Sequence, residues 1–132
     1  MGTTVAGSTS TDRRFPRRVF ARGSEPDPRF TLANERTFLA WIRTSLASIA
    51  GGVALGSLQL SLQPGLQVVA SLVLLVLGLT LPVVAWRSWM ATESAMRLGR
   101  ALPASHASGL LAVTVGLVGI LVLLGVLFGG RL

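Results

Sequence analysis

The sequence predicts an all-α membrane protein with three transmembrane helices, its N-terminus cytoplasmic and its C-terminus outside. Three observations carry this. Apolar residues make up 51% of the 132 and charged residues only 13%, about half the charge that a soluble surface needs. The apolar residues gather into three runs, at about 41–62, 66–86 and 108–130. Each is near the ~20 residues that a helix needs to cross roughly 30 Å of hydrocarbon. The basic residues, all Arg, fall unevenly between the connections. Three buried helices of a soluble globule are excluded, because a chain of this length could not cover them on all sides.

Residues 1–29 are different material. "MGTTVAGSTST" is small and polar, and "DRRFPRRVFARGSEPDPRF" follows with six Arg and three Pro. A disordered Arg-rich cytoplasmic arm is expected over 1–29, with the transmembrane domain over 30–131. Arg13-Arg14 does not read as a twin-arginine export signal, since the next apolar stretch is distant and carries no cleavage site. Ala6 stands where a myristoylation motif requires Ser or Thr.

Orientation follows from the Arg residues. Seven lie in the chain up to Arg36, none in the turn around Pro64-Gly65, three (Arg87, Arg97 and Arg100) in the second connection, and one, Arg131, in the tail. Basic flanks stay cytoplasmic, which places the arm and the second connection inside. Trp41, Trp86 and Trp89 then fall at the cytoplasmic interface that indole rings prefer.

The first span opens on "NERTFLAWIRT". Asn34, Glu35 and Thr37 form a helix-start motif, in which Asn34 or Thr31 caps the helix and Glu35 sits in its first turn, favoured by the helix dipole. A bulky stripe runs through Leu39, Ile42, Leu46, Ile49, Val53 and Leu60. A small and polar stripe collects Asn34, Thr37, Thr44, Ser45, Ser48, Gly51, Gly52 and Gln59, and is expected to pack against protein. Arg36 and Arg43 are two turns apart on one side, followed by Ala47, Ala50 and Ala54. Arg36 can reach lipid phosphates. Arg43 lies about 10 Å further in, where it either snorkels to the interface, pairs with Glu35 or another acid, or lines a wet cavity.

In the second connection, Glu93 and Arg97 are placed as an i,i+4 pair in the favourable order, worth about a few tenths of a kcal/mol if exposed. They lie on a helical extension that Pro103 stops, and Ser105 or Ser108 caps the third helix. His106 has no second ligand in view, so no metal site is expected. Gly125 and Gly129 in the third span are at GxxxG spacing. No phosphate loop and no nucleophile–base pair is present, so neither an enzyme nor a cofactor is expected. The topology rule explains the net charge of +7 without nucleic acid.

"PDPRFTLANERTFLAWIRTSLASIAGGVAL" (residues 26–55) and "ESAMRLGRALPASHASGLLAV" (93–113) resemble the YidH family of small bacterial inner-membrane proteins, a domain of unknown function. The likeness covers about 26–130 and implies a multi-pass protein of the bacterial inner membrane. The domain is similar to the membrane part of the eukaryotic vacuolar transporter chaperone, a polyphosphate polymerase whose helices form a ring around its product. By that resemblance Arg36 within "NERTFL" and Arg87 within "WR" occupy positions of basic residues that face the polyanion. Arg43 fits only the bacterial form of the motif. No polymerase domain is present, so synthesis is not carried over. Two functions follow as expectations. One is an oligomeric module guiding an anion such as polyphosphate, with Arg36, Arg43 and Arg87 as a basic ring and a homo-oligomer, the bilayer and a polyanion as partners. The other is a non-conducting scaffold or accessory subunit whose Arg residues set topology and bind lipid headgroups.

Overall fold

In the computed structural model, residues 13–104 and 107–129 are described. They form α1 (Arg17–Phe20), α2 (Pro28–Ser57), α3 (Pro64–Arg97) and α4 (Ala107–Gly129), with no strand among them. The helices α2, α3 and α4 are each long and apolar enough to cross a membrane. Among the described residues α3 packs against α2 and α4, while α2 and α4 do not touch. The result is a single layer of helices whose apolar side chains remain largely exposed. That surface suits hydrocarbon rather than water.

The helix start expected at Asn34, Glu35 and Thr37 lies further upstream. Asp27 is the N-cap, its carboxylate accepting from the Arg29 N–H at 2.9 Å, and Pro28 takes the first helical position, where its missing N–H is harmless. Asn34 instead donates to the Trp89 carbonyl on α3 at 3.2 Å, and Thr37 bonds back to the Ala33 carbonyl within its own helix at 3.1 Å. The turn also shifts: Pro64 opens α3 behind Gln63, whose side chain accepts from the Leu66 N–H at 2.7 Å. Gln67 reaches back to the Leu55 and Leu58 carbonyls at the end of α2, at 2.7 and 2.9 Å.

Part of the small stripe of α2 forms the contact with α3, while Thr37 and Gln59 stay exposed. Ser45, Ser48 and Gly52 are buried, and two serine–glycine bonds link the helices. Ser71 donates to the Gly52 carbonyl at 2.7 Å, and Ser45 donates to the Gly78 carbonyl. The second bond has a local cause. Pro82 lies inside α3 and has no N–H to give the carbonyl four residues earlier, that of Gly78. Ser45 supplies the missing donor, as a buried carbonyl within a bilayer requires. Ser45→Ala is therefore expected to cost about 1 kcal/mol in a thermal melt in detergent. In a Pro82→Ala background, where the helix regains its own donor, the same change should be nearly silent.

Gly125 and Gly129 pack on the turn between α2 and α3. A Cβ on Gly129 would sit 2.7 Å from the Ser61 carbonyl oxygen, and the Gln63 N–H donates to the Gly125 carbonyl at 3.0 Å. At the other end of the bundle, α3 stops at Arg97 rather than at Pro103. Gly99 adopts φ +62°, while the N–H groups of Arg100 and Gly99 close on the carbonyls of Ala95 and Met96 at 2.9 and 3.3 Å. This is a Schellman ending, which glycine permits. Ser105 and His106 lie outside the described residues, and Ser108 falls inside the first turn of α4.

The arm differs from the expectation of disorder over its described part. Val19 is buried, Phe20 lies 4.5 Å beneath the Arg97 guanidinium, and the Ser24 N–H caps the Arg97 carbonyl at 3.2 Å. An apolar contact, a cation–π contact and a capped helix end together offset the ordering of a few residues. Gly23 makes the approach with φ +69°, and a Cβ there would collide with the Arg97 carbonyl. Gly23→Ala should therefore release the arm, read as faster limited trypsin cleavage after Arg17, Arg18 and Arg22.

Candidate functional site

Four cross-helix bonds fix how α2 and α3 align: Thr31 with Glu93, Asn34 with Trp89, Ser45 with Gly78, and Gly52 with Ser71. In this antiparallel register Arg36 lies level with Arg87, and Arg43 lies level with Thr80. The charge-free length of α3 from Leu66 to Trp86 is about 31 Å, the thickness of the hydrocarbon. Arg36 and Arg87 thus stand at its boundary and Arg43 about 10 Å inside it.

All three Arg side chains are exposed. Arg36 and Arg43 share the side of α2 opposite its buried stripe, with Ala47, Ala50 and Ala54 continuing the same face. Arg87 is on the far side of α3, in a cleft with Val84, Pro103 and Ala107. One protomer therefore does not gather the three into a basic cluster. Among the described residues no ion pair joins Arg36, Arg43 or Arg87 to an acid, Glu35 included. Since α4 does not touch α2, the described residues leave the Arg36–Arg43 face uncovered.

The structure adds a buried polar site where the arm crosses α3. Glu93 is fully buried and Arg97 is 5% exposed. The Arg97 Nε lies 3.4 Å from Glu93 Oε1, within ion-pair reach but without hydrogen-bond geometry, and Glu93 Oε2 has no hydrogen-bond partner. Thr31 donates to Glu93 Oε1 at 3.4 Å. Around them Trp86 and Trp89 stack at 5.2 Å, Phe38 meets both, and Phe15 stacks on Trp86 at 6.4 Å. The sequence offers the i,i+4 spacing of Glu93 and Arg97 but not their burial, which depends on Phe20 and Thr31 arriving from distant segments. No group of three or more His, Cys, Asp or Glu that could hold a metal occurs among the described residues.

A family model described as a domain of unknown function, DUF202, matches residues 29–95, a stretch that holds Arg36, Arg43, Arg87 and Glu93. The Escherichia coli K12 protein named inner membrane protein YidH is 38% identical over 109 residues, covering 82% of this chain and 95% of its own length. An uncharacterized protein of Mycobacterium tuberculosis H37Rv is 44% identical over 100 residues, covering 75% of this chain and 82% of its own length. No solved structure matches the chain. With three spanning helices and an inner-membrane relative of nearly its full length, this chain is a multi-pass bacterial inner-membrane protein and belongs to the DUF202 family.

Proposed function

We propose that the protein is an oligomeric membrane module whose α2 helices face one another across a polar path that guides an anion, polyphosphate being one candidate. The observation that carries this reading is Arg43, an exposed guanidinium without an acidic partner among the described residues, about 10 Å inside the hydrocarbon, on a helix face that the described residues do not cover. A charge at such depth is costly against lipid, by about 3 kcal/mol on insertion scales, and is relieved by water, an anion or a neighbouring subunit. Ala47, Ala50 and Ala54 on the same face allow close approach of a second helix. A single layer of three helices encloses no path, so assembly is part of the reading.

Anion flux into proteoliposomes tests it. The wild type is expected to conduct, and Arg43→Gln to lower flux several-fold with folding intact. No flux in the wild type, where a control channel works, overturns the reading. One observation favours a non-conducting scaffold instead. Side chains on α2 tilt toward its N-terminus, so the Arg43 stem points toward the boundary where Arg36 stands, the direction that snorkelling needs. In that case Arg43→Gln leaves every transport readout unchanged.

A further inference from the structure

We infer that the arm and the flank of α3 together form a binding site for an anionic phospholipid, with the Arg17 and Arg18 guanidiniums on its phosphate. The site is a cleft of about 410 Å³ lined by Phe15, Pro16, Arg17, Arg18, Trp86 and Met90. Its two walls differ in chemistry. Arg17 and Arg18 come from α1, are exposed, and make no ion pair among the described residues. The floor is Trp86 and Met90 of α3, with Phe15 stacked on Trp86 at 6.4 Å.

Depth identifies the ligand. Trp86 is the last residue of α3 before its charged extension, so the cleft sits at the level of headgroup phosphates, where indole rings also settle. Directly beneath Trp86 on the same helical stripe are Val83, Leu79 and Leu72, exposed by 55%, 68% and 54%. They lie at spacings of three, four and seven residues, which keeps them on one face. A phosphate held by Arg17 and Arg18 would therefore have its acyl chains running down an apolar track that continues from the cleft floor. A free phosphate uses only the upper half of the site. The arm is held beside the cleft by Val19, which is buried, and by Phe20, which lies under the Arg97 guanidinium of α3. The site lies away from Arg36 and Arg43 and does not depend on the anion path.

Native mass spectrometry of the protein released from nanodiscs holding equal phosphatidylglycerol and phosphatidylcholine tests the site. The wild type is expected to retain phosphatidylglycerol preferentially. Arg17→Gln and Arg18→Gln should each reduce that preference about five-fold, the equivalent of about 1 kcal/mol per basic residue at a membrane surface. Arg100→Gln, an exposed Arg at the same end of the bundle, should leave it unchanged, and millimolar inorganic phosphate should not displace the lipid. Retention that survives both substitutions together, falls equally with Arg100→Gln, or yields to inorganic phosphate would each overturn the assignment.

Discussion

Glu93→Ala is expected to lower the stability of the detergent-solubilised protein by about 3 kcal/mol, the loss typical when one partner of a buried ion pair is removed. The carboxylate is fully buried, and Arg97 has 5% of its surface exposed. Without Glu93, the guanidinium over Phe20 loses its ion-pair partner within α3. Either it stays buried and uncompensated, or it swings into water and releases Phe20 and the arm. A melt followed by tryptophan fluorescence reads both, because Trp86 and Trp89 stand in the same cluster as Phe20. The pair itself is not the source of stability: its geometry is loose and Glu93 Oε2 is left without a partner. The double variant Glu93→Leu with Arg97→Met should accordingly recover most of the loss. A double variant as unstable as the single one would mean that the arm, rather than charge compensation, depends on Glu93.

Gly78→Leu is expected to be comparably damaging. A side chain at Gly78 would run into Ile49 and the backbone of α2 at Ser45, forcing apart a close contact between α2 and α3 and breaking the Ser45 bond to the Gly78 carbonyl. Overpacking of this kind costs about 1–3 kcal/mol, and the bond adds about 1 kcal/mol. Gly116→Leu on α4, where nothing lies within 4 Å of the new Cβ, provides the contrast, with an expected change within about 0.5 kcal/mol. Equal melting temperatures for the two variants would show that α2 and α3 do not meet at Gly78.

The features legible in the sequence are those that repeat along one helix. Hydropathy marks the three spans, and stepping 100° per residue separates the Ser45–Ser48–Gly52 face from the Leu46–Val53 face before any contact is known. The GxxxG spacing of Gly125 and Gly129 likewise anticipates a close approach, although its partner is the α2–α3 turn rather than another spanning helix. Features that need a partner were not legible. Hydropathy reports only the part of a helix inside lipid, so it misses the polar turns by which α2 begins at Pro28. The helical extension of α3, by contrast, was legible from the Glu93–Arg97 spacing, and only its end, at Arg97 rather than Pro103, was not. Ser45 and Pro82 look unrelated until the register brings the Gly78 carbonyl between them. The burial of the Glu93–Arg97 pair draws on Thr31 beside Glu93 and Phe20 beneath Arg97, each more than sixty residues away in sequence. The three Arg candidates were legible as residues but not as an arrangement: helix geometry sends Arg87 to the opposite side from Arg36 and Arg43.

The face of α2 that carries Arg43 is open to a direct measurement, because the chain contains no cysteine. Single substitutions Ala47→Cys, Ala50→Cys and Ala54→Cys report on that face, and Leu46→Cys and Val53→Cys report on the adjoining bulky stripe. A membrane-impermeant thiol reagent reacts only with thiolate in water. If α2 lines a polar path between subunits, the three Ala positions should react at least about ten-fold faster than Leu46 and Val53 in native membranes. Equal, slow reaction at all five positions would place the Arg43 face against lipid and contradict the path.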